Sequence, residues 1–356
     1  MRYKLNYEPF YDFESISILM NILNGKSIKD EMESMIERRG SRYKSGITQL
    51  FAKPIDLEKH IIKNIRYDLP GYEENGQQTA AFLFKIRSER EFCFAHAVFR
   101  YNIHLQYGID DKGIAILDEL TDDDDIKSSP ESRHIAGNVA EFFTLLEKYE
   151  ISDEDKLGAI RLYHNFDMYL HYMTALLAQM KILIADKLPG FRLESVMSHV
   201  YSQFEINADE FMFGKFHMKL DDTHAYTIYP GIYKPNALSS WGTNYTDIFV
   251  VFGTHILDII DVLDEMETND EKTELFLKAL SDSTKLNILK LLKDEPMYGS
   301  QLAERLNCTS ANISHHTSSL LTLNLVHYEK ENNRMYLHLN KEIICQYLDD
   351  AKELFM

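Results

Sequence analysis

At 356 residues, 45% of them hydrophobic, the chain has apolar mass for about two or three cores, and its 8 prolines and 15 glycines exclude a fibrous or low-complexity chain. A formal net charge of −18 argues against a protein that coats nucleic acid along its whole length. Three cysteines (Cys93, Cys308, Cys345), odd in number and far apart, exclude a disulfide framework; with no signal-like segment at Met1 and no apolar run able to span a bilayer, a cytoplasmic protein with no membrane partner is expected.

From Met1 to about Leu50 the pattern is helical, with Ile16, Leu19, Met20 and Leu23 at three- and four-residue spacing. Arg38, Arg39, Arg42 and Lys44 form a small basic cluster, read as a solvated helix end rather than a phosphate contact. Glu119 to Ser132 holds aspartates, serines and a proline and predicts an exposed loop. Helical periodicity then runs from about Ile135 to Met212, punctuated by Pro189-Gly190. Within it His164, Asp167 and His171 share one face at i, i+3 and i+7, which suits a metal. Their aromatic neighbours Tyr163, Phe166 and Tyr172 favour ordinary packing, and no metal ligand is assigned.

Near Met218 the character changes. His224 to Tyr229 alternates and is rich in strand formers, with Pro230-Gly231 ending it, and Ile248 to Phe252 is a second apolar run. The two predict a small hairpin or sheet. Tyr226, Tyr229, Tyr233, Trp241 and Tyr245 cluster around them and are candidates for a ligand-binding wall, with a core rimmed by tyrosines as the equal alternative. Ile256, Ile259, Ile260 and Leu263 return to helical spacing, and Glu267 to Glu271 is the best linker. The expected organisation is a mostly helical region, 1–266, of one or two subdomains with strands near 224–252, followed by a second domain, 272–356.

That second domain carries the specific signal. Between Leu275 and Asn340 seven basic residues face six acidic ones, so the acidity belongs to the rest of the chain. Ser283 can cap a helix burying Leu286, Leu289 and Leu292, closed by Pro296. A short helix at Gln301–Leu306 and a tight turn at Asn307-Cys308 follow. Thr309 or Ser310 then caps a third helix with Ile313, His316 or Thr317, and Leu320 inward, and Asn324 suits a left-handed cap. Val326–Lys330 and Arg334–Leu339 read as strands joined by a turn at Glu331-Asn332-Asn333. The fold class expected is therefore mainly α with small β elements, ending in a winged helix-turn-helix.

The stretch from Phe276 to Leu289, Gln301 to Leu306 and Ser310 to His316, with the Ala-Leu-Ser-Asp-Ser-Thr-Lys-Leu-Asn-Ile-Leu and Ser-His-His phrases, resembles the ArsR family of winged-helix repressors over about 65 residues. The resemblance implies a homodimer paired through the first and last helices. It also implies a Ser310–Leu323 helix in the major groove and a wing at Glu329–Tyr336. In that frame Ser310, Asn312 and Ser314 face bases, and Lys285, Arg305, Lys330 and Arg334, with His315 when protonated, face phosphates. Two departures stand out. Thr317 replaces the usual leucine after the histidine pair, and Ser318, Ser319 and Leu321 leave the reading helix without fixed positive charge.

Metal-sensing members carry cysteines before the reading helix, where this chain has Pro296 to Gln301 without thiol or imidazole. The last helix, Lys341 to Phe355, offers Cys345, Asp349, Asp350 and Glu353 but no histidine pair, and its Ile344, Tyr347, Leu348, Ala351 and Phe355 make an apolar face. Leu321 and Leu323 are surplus apolar residues available for docking. No His-Glu-x-x-His, phosphate-binding Gly-rich loop or Gly-x-Ser-x-Gly elbow occurs, so no catalytic residue, metal or cofactor is assigned and an enzyme is not expected. The expected function is a homodimeric DNA-binding transcriptional regulator. Its partners would be double-stranded DNA, a second copy and a non-metal small-molecule or protein effector. The rival is a protein-assembly module whose winged helix no longer reads DNA.

Overall fold

A computed structural model describes residues 3–39, 43–70, 72, 75–87, 92–121, 137–149, 151–216, 220, 224–242, 247–260, 269–331, 334–354 and 356; the side chains at 38, 39, 269–271, 310, 311, 330, 331, 334 and 335 fall outside that description. Arg42, Asp122 to Ser132, Tyr245 and the Asn332-Asn333 turn therefore lie outside it. The chain separates into two compact units: Met1–Ser198 with His224–Ile259, and His199–Thr223 with Ile260–Met356.

The first unit is a helical body around one small sheet. Its helices are α1 (Tyr11–Leu23), α2 (Ile28–Arg39), α3 (Lys44–Asn64), α4 (Gly76–Phe84), α5 (Phe94–Gln106), α6 (Lys112–Leu120), α7 (Val139–Leu146), α8 (Asp153–His164) and α9 (Phe166–Lys187). Side-chain caps start several of them, as Asn75, Asp111, Asn138 and Ser152 each accept backbone N–H groups that the first turn leaves unpaired. The long α9 buries Tyr169, Tyr172, Met173, Leu176, Met180 and Ile184 along one stripe. A turn of 3-10 helix at Leu188–Phe191 ends it at Pro189-Gly190, as the sequence predicts.

Helix periodicity does not run unbroken through His164. Asn165 (φ −105°, ψ 26°) separates α8 from α9, so His164 lies on one helix and Asp167 and His171 on the next. The shared face expected of these three does not exist.

The sheet also differs from a hairpin. Tyr3–Leu5 (β1), Tyr226–Gly231 (β2), Leu238–Trp241 (β3) and Ile248–Gly253 (β4) take the order β1-β2-β4-β3. β2 runs parallel to both β1 and β4, and only β3 is antiparallel. Tyr3–Leu5 is a strand inside the stretch read as helical, because a three-residue edge strand is too short to show period-2 alternation. Pro230 continues β2 rather than ending it. The Ile228 carbonyl accepts from Asn6 on the β1 side, so Pro230, two residues on, turns its missing N–H to the side where β1 has already finished.

Leu193–Phe216 (α10) carries the chain from one unit into the other, with a non-helical Asn207 (φ −162°, ψ 93°) inside it. In the second unit follow α11 (Asn269–Ser281), α12 (Ser283–Asp294), α13 (Gly299–Leu306), α14 (Ser310–Thr322), β5 (Val326–Glu331), β6 (Arg334–Leu339) and α15 (Lys341–Glu353). The described part of the expected linker, from Asn269, is the first turn of α11, a helix anchored by buried Phe276 and Ala279. One core joins these elements through Phe276, Ile288, Leu292, Leu302, Ile313, Leu320, Leu325 and Leu337.

The helix caps follow the sequence closely. Thr309 caps α14, and Asn307 (φ 51°) and Asn324 (φ 56°) take the left-handed conformation at the ends of α13 and α14. For α12 the cap is Asp282, one residue before the predicted Ser283, and it accepts from the N–H groups of Thr284 (3.0 Å) and Lys285 (2.9 Å). Those bonds hold the Asp282 carboxyl below the usual range. A depressed carboxylate contributes stability above its unfolded pKa, and that contribution fades as pH falls below about 4. Asp282→Ala is expected to destabilise the second unit by about 1 kcal/mol at neutral pH. In denaturant titrations followed by circular dichroism, the deficit should shrink below about pH 4.

Candidate nucleic-acid interface and a cavity in the first unit

The orientation of α14 follows from which of its side chains are buried. Ile313, Thr317 and Leu320 face the core at 1%, 2% and 0% exposure, which turns Asn312, Ser314, His315, Ser318 and Thr322 outward. Thr317 takes a leucine's place without leaving an orphan hydroxyl, since its Oγ1 donates to the Ile313 carbonyl (2.9 Å). His315 is exposed, whereas half-buried His316 points Nδ1 at Asp282 Oδ1 (3.6 Å). Burial, against the pull of Asp282, lowers the His316 pKa and favours its neutral form.

Around this polar helix the candidate phosphate contacts are unequal. Lys285 lies in the first turn of α12, half-buried. Arg305 is exposed but paired with Glu295 at 3.4 Å. Such an exposed pair is worth about 0–1 kcal/mol, so a phosphate can displace Glu295 at little cost. Lys330 and Arg334 occupy the tip ends of β5 and β6, and Ser310 the first position of α14, with their side chains outside the described residues. Asn312, Ser314 and His315 are thus brought to one exposed helix, and the cations are carried by α12, α13 and the hairpin.

Two details were not legible in sequence. Met297 forms a bridge with Leu337, exchanging N–H···O bonds of 3.2 and 2.8 Å, which adds a third short segment beside the hairpin. Leu323 is buried in the domain's own core and Leu321 packs against it, so neither is a spare docking residue. They read as surplus because a strict helical phase breaks down at the helix end, where Leu325 and Val326 also turn inward.

Three helices in this order, followed by a two-stranded antiparallel wing, define a winged helix-turn-helix domain. Residues 282–328 match the family profile described as bacterial regulatory protein, arsR family. A curated relative, the arsenical resistance operon repressor of Staphylococcus aureus, is 37% identical over 68 residues, which is 19% of this chain and 65% of that protein. The C-terminal part of this chain is an ArsR-type helix-turn-helix domain, joined to a long N-terminal extension outside the match. No solved structure matches the chain significantly.

In the first unit, four of the five aromatic candidates fall within the description. Tyr229 stacks on Phe10 (4.8 Å between centroids), and Tyr226 is buried against Tyr3 (5.9 Å). Both pack against aromatic neighbours. Tyr233 and Trp241 instead line a cavity of about 220 Å³ near the carboxyl ends of β2 and β4, with Glu14, His96, Lys234 and Ser239. Arg100 covers the Trp241 ring at 4.3 Å, and Tyr233 donates from its hydroxyl to Glu58 (2.5 Å).

Glu14 holds this wall together. Its two carboxylate oxygens accept from the N–H groups of Ile232 (3.1 Å) and Tyr233 (3.0 Å). Burial nonetheless outweighs those bonds and raises its pKa to about 7. Burial opposes the charge on His96, but Cys93 and Glu119 push its pKa up to about 9. No sequence spacing links Glu14, His96 and Lys234, which come from α1, α5 and the loop after β2.

A raised carboxyl pKa means the folded state binds more protons than the unfolded between about 4.5 and about 7, so the Glu14 contribution to stability falls as pH rises through that window. Buried His104, lowered to about 4, works in the opposite sense. The expected readout is therefore a difference: the stability of wild type relative to Glu14→Gln declines from about pH 4.5 to about pH 7, measured by Trp241 fluorescence in urea.

Proposed function

We propose that this chain is a DNA-binding transcriptional regulator that acts as a homodimeric repressor, with an effector site in its N-terminal unit. The observation that carries it is the exposed row Asn312, Ser314 and His315 on a helix rotated by its own buried stripe, within an ArsR-type domain. The named function of the relative, repression of an operon, supports the same reading. Asn312 is suited to a bidentate contact with adenine, and the serine hydroxyls suit either donors or acceptors. Because α14 carries no lysine or arginine, phosphate attraction falls to Lys285, Arg305, Lys330 and Arg334. Two reading helices would then address an inverted repeat with half-sites about 34 Å apart.

Support for a dimer comes from α11 and α15. Tyr347 stacks on Phe276 (5.0 Å), joining the helices, while Leu275, Leu277 and Leu348 are 37%, 37% and 43% exposed. Exposed leucines on the first and last helices of the domain, two of them flanking buried Phe276, are suited to contact with a second copy. The effector site is the cavity at Tyr233 and Trp241. It places Lys234 beside Glu14 and His96 on a wall with Tyr233 and Trp241, which favours a small organic anion over a metal.

The uncharged reading helix favours a second reading, an assembly module that has given up DNA, and salt separates the two. With fluorescently labelled DNA from the protein's own promoter, anisotropy should show binding that weakens steeply as salt rises. Asn312→Ala should cost about 1–3 kcal/mol on the cognate sequence and little on random DNA. Weak binding indifferent to sequence, salt and Asn312 would sink the DNA reading. Leu348→Asp should convert a dimer into a monomer by light scattering at unchanged circular dichroism; an unchanged mass would remove α15 from the interface.

A further inference from the structure

The wing hairpin places three metal-competent side chains on one face. His327 and Glu329 are two residues apart on β5, so they project to the same side, and His338 is the direct cross-strand partner of His327 on β6. One ligand atom from each lies within 4.8 Å of the other two. His327 Nε2 is 3.1 Å from Glu329 Oε1, and His338 Nε2 is 3.9 Å from Glu329 Oε2. The two imidazoles are stacked, with centroids 5.5 Å apart and planes 22° apart. All three side chains are 13–20% exposed, sheltered yet open to solvent, and Phe213 sets its ring edge against His327 at 5.6 Å.

We propose that His327, Glu329 and His338 form a binding site for a divalent first-row transition metal, with zinc as the natural probe. Two imidazoles and one carboxylate make a mixed N,N,O set. Such a set suits zinc and its neighbours and is a poor match for calcium or magnesium, which take oxygen ligands. Metal–ligand bonds of about 2.0–2.2 Å in tetrahedral geometry put neighbouring ligand atoms about 3.3–3.6 Å apart. The 3.1 and 3.9 Å separations, to the two oxygens of Glu329, bracket that spacing, and with all three ligand atoms within 4.8 Å of one another side-chain rotations would complete three sites of the sphere and leave the fourth to water. The Nδ1 of His327 is buried and makes no hydrogen bond among the described residues. Its ring is therefore held by packing on Phe213 and His338 rather than by an orienting hydrogen bond on Nδ1.

No sequence signal selects these three, since only the β5–β6 register brings His338 opposite His327. The position differs from the stretch before the reading helix, Pro296 to Gln301, which offers no thiol or imidazole. It differs too from the last helix, which carries the exposed Cys345. An ion here would clamp β5 to β6 below the tip positions Lys330 and Arg334. The site stands whether or not the wing contacts DNA.

The test uses the full chain stripped with a chelator and titrated with zinc against a chromogenic competitor. One zinc per chain is expected. His327→Ala or His338→Ala should weaken it by more than the 10–100-fold typical of losing an outer-shell partner. Cobalt should give visible bands of tetrahedral strength without a thiolate charge-transfer band, which separates this site from Cys308 or Cys345. In case an alanine variant does not fold, long-range 1H–15N spectra of the folded wild type should show two histidine rings shifting with the first equivalent of zinc. Absence of zinc binding, binding unchanged in the folded variants, a thiolate band, or zinc that shifts no pair of histidine rings would each overturn the site.

Discussion

The winged helix depends on how α14 is rotated about its axis, and that rotation is fixed by Ile313, Thr317 and Leu320. Each buried aliphatic side chain contributes about 1.5–3 kcal/mol, far more than any polar contact on the outer face. The core of Phe276, Ile288, Leu302, Leu325 and Leu337 therefore sets which residues face outward. Asn312, Ser314 and His315 are presented because they are the remainder, on a helix capped by Thr309 and stopped at Asn324. The same core consumes Leu321 and Leu323 and draws Met297 into register beside β6.

In the first unit the corresponding constraint is a buried carboxylate. Glu14 ties α1 to the end of β2 through two backbone N–H groups, where the parallel pairing with β4 is finishing. Desolvation makes that arrangement costly, as its raised pKa records, and an apolar residue would leave both N–H groups unpaired. Buried ion pairs elsewhere in the unit, Arg87 with Asp155 and Arg100 with Glu119, follow the same rule: a charge is buried where a partner meets it. Arg100 also covers Trp241, so the wall of the cavity and the interior charges share one network.

Legibility differed sharply between the two units, for physical reasons. The C-terminal domain is built from local signals: caps at Asp282 and Thr309, left-handed Asn307 and Asn324, and a helical apolar phase. Each acts within a few residues, and the one misplaced cap moved by a single position. The N-terminal unit is built from pairings far apart in sequence. Tyr3–Leu5 joins a strand more than 200 residues away, and a three-residue strand carries no periodicity to announce it. The continuous face read through His164 and His171 failed at Asn165, since helical spacing persists in a sequence even where the backbone breaks.

The amino-acid sequence by itself determined the winged helix-turn-helix, its element order and the polar character of its reading helix, because caps, turns and amphipathic phase are local. Tertiary structure alone decided which distant groups meet. Packing brought Glu14, His96, Lys234 and Trp241 to one cavity, and strand register set His338 against His327 and Glu329. Spacing along a chain carries no information about such encounters; a buried stripe and a hydrogen-bonded ladder do.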